Sequence, residues 1–439
     1  MHLPVEILEQ VRALLISTKI VSTLTRKQIV LYVDDSFQTV EPRASPLQKE
    51  VPTRRGRDDL SALRLVNRAF CEVASRVLLN ELRFRPYPIS QNSPFPEVSI
   101  RQCLALSRGN YAGYVQKFDI KFEFLEGVEE AEGGAALRLI QDLAVVLPIV
   151  LASFRNLRSL SVKGPLRSIR RADGRERQLA SSRIPRSLHS AEHRDAVRAV
   201  IINVFRYVPL SQLDKLTLHL PLTHDFEMLL QSLVKPNSAV PYHQKFAEKM
   251  ERLNNLEIAF IYNPTEDGPN TTTPKERYPD VQYMPGLFTF ISLTSHLTTL
   301  SLEHASISLN LDLLALHKLN FLQNVTLRRF TSSGHHLMKL IMQNQAHIQQ
   351  ISLQFITLTN GTWQEIFTRA RELPRLRCFL IDWSGYAQPG GNLHGMITMF
   401  GKPGNDPELI TAEEPLDYRT LLKLQQHVQT VQDAHPSGH

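Results

Sequence analysis

The sequence contains few cysteines. Only Cys71, Cys103 and Cys378 occur among its 439 residues, far apart and without a C-x-x-C pair. Such spacing argues against a disulfide framework and against a zinc module. We therefore expect a chain that works in a reducing compartment, cytoplasmic or nuclear, and that holds no metal and no other cofactor.

Long hydrophobic runs are also absent. The most apolar stretch, residues 143–154, has 12 residues and contains Pro148, whereas a membrane-spanning helix needs about 20 apolar residues. The first residues include the acids Glu6 and Glu9 where a secretory signal has a basic run before an apolar core. We expect no membrane partner and no secretion, and we expect residues 143–154 to form a buried helix.

Motifs that carry enzyme chemistry are absent as well. The sequence has no Gly-rich phosphate loop with a Walker lysine, no G-x-S-x-G elbow and no H-E-x-x-H helix. His189 and His193 are four residues apart, but no cysteine or third histidine is near them and the segment borders a basic stretch. We expect neither a catalytic site nor a metal site, and hence no enzyme.

The charge of the chain has a local origin. Its composition, 42% hydrophobic and 21% charged, is that of a folded protein. Of the net charge of +7, residues 163–186 contribute +6 through eight basic and two acidic side chains. No aromatic residue for base stacking is interleaved with these arginines. The stretch is therefore better explained as a solvated loop, or as a docking site for an acidic or phosphorylated substrate, than as a nucleic-acid site or a nuclear import signal.

One pattern recurs from about residue 110: an apolar residue, two others, an apolar residue, one other, and an apolar residue. The eight matches begin at Val115, Leu157, Leu213, Leu253, Leu297, Leu322, Ile348 and Leu376. The last three steps are 25, 26 and 28 residues, within the roughly 20 to 29 residues of a leucine-rich repeat, in which a strand turns into a helix that packs behind it. Segments with helical periodicity lie between the matches, at residues 137–147, 196–207, 226–234, 287–293, 337–342 and 363–370.

Longer steps between matches indicate insertions. We expect loops at residues 163–194 and at residues 263–285, the second of which contains five prolines. The repeat pattern stops after Ser384, and an amphipathic segment at residues 418–428 is expected to cap its open end. Residues 384–439 are thus predicted to form a capping segment and a flexible tail.

Alternation along each strand sends the residues between the repeated apolar positions to the opposite face of the sheet. On that face the pattern predicts a polar, mostly uncharged set: Ser161, Thr217, Glu257, Ser301, Thr326 and Ser352. Such a surface suits recognition of a protein or peptide substrate. The alternative is a scaffold with no ligand on that face.

Two short segments precede the repeats. Residues 3–11 begin with Leu3-Pro4, where Pro4 suits the first turn of a helix, and Leu3, Ile7, Leu8 and Val11 share one helical face. In residues 59–70 the same spacing holds for Leu60, Leu63, Val66 and Phe70. A unit of two or three short helices is too small for a stable core of its own, so part of this apolar surface needs a partner.

The order Leu3-Pro4, an acid two residues later, and then Leu63-Arg64-Leu65-Val66-Asn67-Arg68-Ala69-Phe70 resembles the two halves of an F-box. The resemblance covers residues 3–16 and 58–84, with leucine-rich repeats over residues 115–383. It implies docking on the Skp-family adaptor of a cullin-RING ubiquitin ligase. The adaptor-facing set mapped from the motif is Leu3, Pro4, Ile7, Leu8, Leu60, Leu63, Leu65 and Val66. The family pattern lacks the 41 residues, 17–57, that separate the two halves here, which a genuine surface insertion or an error in the sequence would explain.

These observations predict an α/β chain with a small helical F-box-like domain followed by an irregular leucine-rich-repeat solenoid. The helical domain is expected over residues 1–84 with its insertion at 17–57, then a connector over 85–114 and the solenoid over 115–383. The resemblance implies a substrate-recognition subunit of an SCF-type ligase that joins a protein substrate to the adaptor and a cullin. The alternatives are a repeat scaffold whose N-terminal helices cap the solenoid, and a nuclear or nucleic-acid factor acting through residues 163–186.

Overall fold

The structure, a computed structural model, describes only part of the chain. The described residues are 20–25, 28–33, 72, 75–84, 100–122, 130–163, 191–220, 225–232, 248, 250, 252–260, 280–294, 296–304, 309–314, 316, 319–387, 393–400 and 409–434. The chain divides into two units, Met1–Asn80 with Ser90–Pro96 and Glu81–Ile89 with Glu97–His439. The whole predicted adaptor-facing set lies outside the described residues: Leu3, Pro4, Ile7, Leu8, Leu60, Leu63, Leu65 and Val66.

In the first unit the described strands are β1 (Ile20–Thr25) and β2 (Gln28–Val33), which pair antiparallel with Ile20 opposite Val33. Both lie within the 41 residues that separate the two halves of the F-box-like pattern. The apolar run at Gln28–Val33 is therefore a strand. A helical turn follows at residues 75–78, where Leu79 N–H donates to Ser75 O at 2.9 Å.

The second unit contains one mostly parallel sheet, so the fold class is α/β. Its strands are β3 (Glu81–Phe84), β4 (Lys117–Lys121), β5 (Ser159–Lys163), β6 (Lys215–Leu220), β7 (Asn255–Phe260), β8 (Thr299–Glu303), β9 (Leu309–Asn310), β10 (Asn324–Ser333), β11 (Gln350–Asn360), β12 (Cys378–Ala387), β13 (Leu393–Phe400) and β14 (Leu409–Ala412). The spatial order from β3 to β14 follows the chain, except that β9 pairs only with the second half of β10. Pairing is parallel from β3 to β12 and antiparallel through β13 and β14. All eight predicted strands are present.

Helices connect the strands, as parallel pairing requires. They are α1 (Ile100–Arg108), α2 (Glu130–Ser153), α3 (Ala191–Tyr207), α4 (Asp225–Ser232), α5 (Asp280–Ser292), α6 (Gly334–Gln343), α7 (Trp363–Ala370) and α8 (Pro415–Ala434), with short 3-10 turns at Ala112–Tyr114 and Leu311–Leu314. Local sequence sets several of their ends. At α7, Thr362 Oγ1 accepts from Glu365 N–H while the Glu365 carboxylate accepts from Thr362 N–H, a reciprocal cap.

The register of the sheet is continuous across the nine strands β3–β8 and β10–β12. The first apolar position of each strand lies beside that of the next, in the row Leu82, Phe118, Leu160, Leu216, Leu256, Leu300, Val325, Ile351 and Phe379. A second row two residues later runs from Phe84 to Ile381, and no member of either row is more than 3% exposed. The core therefore lies between this face of the sheet and the helices.

Aromatic side chains join consecutive helices within that core. Phe290 of α5 lies edge-on to Phe226 of α4, with ring centroids 4.9 Å apart, and 6.1 Å from Phe205 of α3. Phe226 also contacts Phe260 of β7 at 5.9 Å. These rings thus pack α5 against α3 and α4, and α4 against β7.

Four predicted boundaries differ from the structure. Glu81–Phe84 is the first strand of the sheet and not the end of the helical domain predicted over residues 1–84. The predicted connector 85–114 includes the helix Ile100–Arg108. The predicted loop 163–194 has its first residue in β5 and residues 191–194 in α3, and residues 164–190 lie outside the described part. The predicted loop 263–285 ends inside α5, which begins at Asp280.

The prolines of residues 263–285 misled the prediction because Pro285 is tolerated within α5. Gly286 follows it, and a Cβ at Gly286 would lie 3.1 Å from Glu227 N and 3.2 Å from Glu227 Cβ in α4. The Pro-Gly pair therefore marks a close approach of two helices instead of a loop.

The C-terminal prediction was incomplete. β12 continues past Ser384 to Ala387, and β13 and β14 extend the sheet where residues 384–439 were expected to hold only a cap and a tail. The predicted amphipathic segment 418–428 lies within α8, which buries Leu421, Leu424, Val428 and Val431. α8 packs against α7, and His427 Nε2 is 3.0 Å from Leu373 O.

Candidate partner-binding face

The face of the sheet opposite the helices carries the predicted substrate-binding residues. Between the two apolar rows lies a third row, here called the outward row, made of Arg83, Asp119, Ser161, Thr217, Glu257, Ser301, Thr326, Ser352 and Leu380. The six predicted residues occupy six consecutive places in this row. Since neighbouring strands lie about 4.8 Å apart, these six places span roughly 24 Å.

The outward row is more buried than the pattern predicted. Thr217 is 1% exposed and Ser352 is 8% exposed, and the other four predicted residues are half-buried. Thr217 Oγ1 donates to Glu257 Oε2 at 3.2 Å. At the centre of the face Thr217 and Glu257 are thus hydrogen-bonded to each other.

Basic side chains surround Glu257 at the centre of this face. Burial by itself would raise the pKa of Glu257, but the neighbouring His219 imidazole and the Lys215 and Lys163 ammonium groups lower it to about 2. His219 Nε2 lies 3.9 Å from Glu257 Oε1. A carboxylate that stays ionised at neutral pH is a poor general acid or base.

Charged side chains at the N-terminal end of the face form ion pairs with one another. Glu81 accepts from Arg83 at 2.9 Å and lies 3.6 Å from Lys117 Nζ. Asp119 Oδ1 lies 4.0 Å from Lys163 Nζ. Such pairs fix side chains in place more than they stabilise the fold, because half-exposed ion pairs contribute about 0–1 kcal/mol.

Three neighbouring strands share a backbone feature that the sequence analysis missed. Arg329 in β10, Phe355 in β11 and Trp383 in β12 have φ values of 62°, 54° and 45°. Non-glycine residues adopt such values rarely, and bulky ones more rarely still. The residues before them lie side by side in the register, and the residues after them, Phe330, Ile356 and Ser384, are fully buried. Each strand therefore places two consecutive side chains on the outward face at the same level.

These side chains form a group that we call the aromatic–arginine cluster: Glu303, Arg328, Arg329, Phe355 and Trp383. The rings of Phe355 and Trp383 are stacked, with centroids 6.4 Å apart and planes at 16°. The Arg329 and Arg328 guanidinium carbons lie 5.4 Å and 5.8 Å from the centre of the Phe355 ring. Glu303 Oε1 accepts from Arg329 Nη1 at 2.9 Å and lies 3.2 Å from Arg328 Nη1. The sequence signal that could have revealed this cluster is a one-residue break in the alternation of outward and buried side chains. It occurs at the same place in three successive repeats, at Arg329, Phe355 and Trp383.

Metal-binding clusters and readily ionised thiols are not found on the described part of the chain. Within it no cluster of three or more His, Cys, Asp or Glu side chains could hold a metal ion. Cys103 and Cys378 are buried, and burial raises the pKa of both thiols, to about 12 for Cys103, so neither supplies a thiolate. No helix among the described residues has the length and apolar character to cross a bilayer.

Comparison with known proteins adds no relative. No family model matches the sequence, and no curated protein matches it significantly.

Proposed function

We propose that this chain is a substrate-recognition subunit of an SCF-type cullin-RING ubiquitin ligase. In this proposal the second unit is an irregular leucine-rich-repeat solenoid whose outward row binds a protein substrate. The F-box-like segment would bind the Skp-family adaptor. The chain performs no bond chemistry and instead raises the local concentration of the substrate near the ligase.

The observation that carries the recognition part is the single register shared by eight predicted strands in chain order. One continuous, mostly polar face results. A broad face of fixed side chains suits a protein or a peptide more than a small molecule, which binds in an enclosed pocket.

A hydrogen-bonded bridge within the repeat that begins at Leu322 supports the solenoid. Asn344, which is fully buried, follows α6; its Nδ2 donates to Leu340 O at 3.0 Å and its Oδ1 accepts from Leu322 N–H at 2.9 Å. One side chain thereby ties the end of a helix to the entry of the preceding strand. Repeats of 25 to 28 residues that pair only with their sequence neighbours are typical of solenoids.

Support for the adaptor is confined to the sequence pattern of residues 3–16 and 58–84. Its last residues, Glu81–Phe84, are the first strand of the sheet. In the sequence, the F-box-like segment would therefore continue directly into the first strand of the sheet, with no linker after Asn80.

The experiment is a pull-down of purified Skp-family adaptor by the full chain, by Leu65→Asp and by a chain lacking residues 17–57. A buried leucine contributes about 1.5–3 kcal/mol, and a buried aspartate adds a desolvation cost, so Leu65→Asp should abolish capture. Leu416→Asp is the matched control, because Leu416 is 59% exposed on α8, and it should bind like the wild type.

Each outcome has a definite meaning. Capture by the full chain that is lost in Leu65→Asp and kept in Leu416→Asp supports the ligase assignment. Capture only after removal of residues 17–57 would make that segment a block to docking. Failure of every version would remove the ligase role and leave a protein-binding scaffold, the second candidate that the outward row supports. Of the basic stretch, only Lys163 lies among the described residues, where its Nζ is 4.0 Å from Asp119 Oδ1.

A further inference from the structure

More bases than acids lie on the outward side of the first strands of the sheet. Residues two places before or after the outward row share its face, because side chains alternate along a strand. On the described strands β3–β7 the charged residues of this face are five bases and three acids: Arg83, Lys117, Lys121, Lys163 and Lys215, with Glu81, Asp119 and Glu257. This part of the face is therefore cationic.

In the ion pairs of this region the bases are more exposed than the acids. The Glu81 side chain is 20% exposed, whereas its partners Arg83 and Lys117 are 28% and 41% exposed. The Lys163 side chain is 35% exposed and that of its partner Asp119 is 25% exposed. Each of these carboxylates thus anchors a base that reaches further into solvent. A partner that approaches β3–β5 therefore meets positive charge first.

The neighbours of Lys163 on both adjacent strands are bases. Lys121 of β4 is its partner in the register. His219 of β6 takes the corresponding place on the other side, one residue after the paired Val162 and Leu218. We call Lys121, Lys163 and His219 the basic row. Since adjacent strands lie about 4.8 Å apart, the two ammonium groups repel each other, and a bound anion would relieve that repulsion.

Two groups in and beside the basic row have no hydrogen-bond partner among the described residues. The His219 side chain is 5% exposed and neither ring nitrogen is hydrogen-bonded, with Nε2 3.9 Å from Glu257 Oε1. Ser161, two residues before Lys163 on the same face, has a buried Oγ that is also without a partner. Buried polar groups are nearly always bonded, so such orphaned donors require an explanation. An acceptor brought by a partner provides one.

Two carboxylates face the basic row and are held by its bases. Burial raises the pKa of Glu257, but the basic side chains around it lower that pKa to about 2. Asp119 Oδ1 lies 4.0 Å from Lys163 Nζ and makes no hydrogen bond within the described part of the chain. Lys163 is therefore attracted by Asp119 without a close contact and is able to bind a second carboxylate.

We propose that the basic row binds a side-chain carboxylate in an acidic segment of the protein partner. The carboxylate lies over Lys121 and Lys163 and is positioned to accept from the unpartnered Ser161 and His219 donors. A segment fits better than a single small anion, because the remaining bases of the face are spread over three strands, at Arg83, Lys117 and Lys215. This inference deepens the proposed function and depends on it only for the identification of the partner as a ligase substrate.

The test is isothermal titration of the full chain with a hexa-glutamate peptide. Lys121→Gln and Lys163→Gln should each weaken binding about threefold, the scale of one half-exposed ion pair, and the double variant about tenfold. Asp119→Asn should instead strengthen binding about threefold, because it removes the carboxylate that competes for Lys163. This gain keeps the test valid if a lysine variant misfolds, since a damaged face would not bind more tightly.

Two controls separate the basic row from net charge and from the neighbouring basic stretch. Lys339→Gln changes the net charge equally, but Lys339 is exposed on α6 on the helix side of the sheet, so this variant should bind like the wild type. In a chain whose seven arginines in residues 164–186 are replaced by glutamine, Lys163→Gln should still weaken binding about threefold.

Several results would overturn the inference. One is equal affinity of the wild type and the Lys121→Gln, Lys163→Gln double variant. Others are a loss in Lys339→Gln as large as that in Lys163→Gln, an absence of hexa-glutamate binding, and equally tight binding of hexa-arginine. Displacement of hexa-glutamate by an equimolar amount of inorganic phosphate would assign the row to a small anion and would overturn the inference as well.

The adaptor pull-down and the peptide titration separate the two proposals. Adaptor capture with hexa-glutamate binding that is independent of the basic row overturns this inference alone. Binding that depends on the basic row without adaptor capture supports the inference and removes the ligase role.

Discussion

The Tyr386 hydroxyl joins three elements at the C-terminal end of the sheet. It donates to Asp417 Oδ2 of α8 at 2.6 Å and accepts from Trp363 N–H of α7 at 3.0 Å. Trp363 is fully buried and Asp417 is 2% exposed. Burial and the Asp417 carboxylate raise the pKa of Tyr386, so the hydroxyl stays protonated and able to donate. We predict that Tyr386→Phe destabilises this end of the fold.

The expected loss follows from the two bonds. A hydrogen bond to a charged group contributes about 1.5–3 kcal/mol, and a buried N–H left without an acceptor costs about 1–3 kcal/mol. Because one hydroxyl makes both bonds, the two contributions overlap. We expect Tyr386→Phe to lower the free energy of unfolding by about 3 kcal/mol.

The assay is urea denaturation followed by far-UV circular dichroism and by tryptophan fluorescence. Trp363 is a local reporter, since its Nε1–H donates to Gly385 O at 3.2 Å beside Tyr386. Tyr418→Phe is the matched control, because Tyr418 lies on α8 next to Asp417 and is 39% exposed. Its effect should stay within about 0.5 kcal/mol.

Acid should shrink the difference between Tyr386→Phe and the wild type. Burial raises the pKa of Asp417, and the Tyr386 hydrogen bond opposes that rise. The variant lacks this opposition, so its folded state gains more from protonating Asp417 as the pH falls, and its deficit decreases. Equal midpoints for Tyr386→Phe and the wild type, or a deficit that grows in acid, would refute the reasoning.

Two further predictions concern the repeats. Asn344→Ala should lower the free energy of unfolding by about 1–3 kcal/mol because Leu322 N–H loses its buried acceptor. The control is the neighbouring Gln343→Ala, which removes only an exposed hydrogen bond to Asn320 and should have little effect in the same urea assay. Equal effects of the two substitutions would contradict the role of Asn344 as a bridge. Glu257 has a pKa lowered to about 2, so its stabilising contribution is present above pH 4.5 and lost as the pH falls toward 2. Glu257→Gln should therefore flatten the dependence of thermal stability on pH in that range, and an unchanged profile would contradict the electrostatic role of His219, Lys215 and Lys163.

Much of the second unit could be predicted from the sequence, because each strand repeats the same local pattern. A hexapeptide with three apolar positions buries two of them in the strand and one just before it, as at Leu322, Val325 and Leu327. Helix positions were predicted, and for Trp363–Ala370 both ends agree with the prediction, but the ends of most other helices were not predicted. Apolar periodicity marks only the buried face, so α2 extends from Glu130 to Ser153 where residues 137–147 were expected.

Part of the candidate site could not be predicted. The six residues of the outward row followed from alternation, and register then aligned them. The aromatic–arginine cluster was missed because its contacts link Glu303, Arg329, Phe355 and Trp383, which come from four strands. A positive φ has no local signature when the residue is arginine, phenylalanine or tryptophan instead of glycine.

By itself the sequence determined the α/β class, the repeat and the polar row, because these depend on periodicities of two and of three to four residues that any chain segment carries locally. Only the tertiary structure decided the burial of Thr217, the lowered pKa of Glu257 and the outward turn of Trp383. Each of these arises between strands, where the neighbours that desolvate, charge or brace a side chain are brought together by folding and not by sequence proximity.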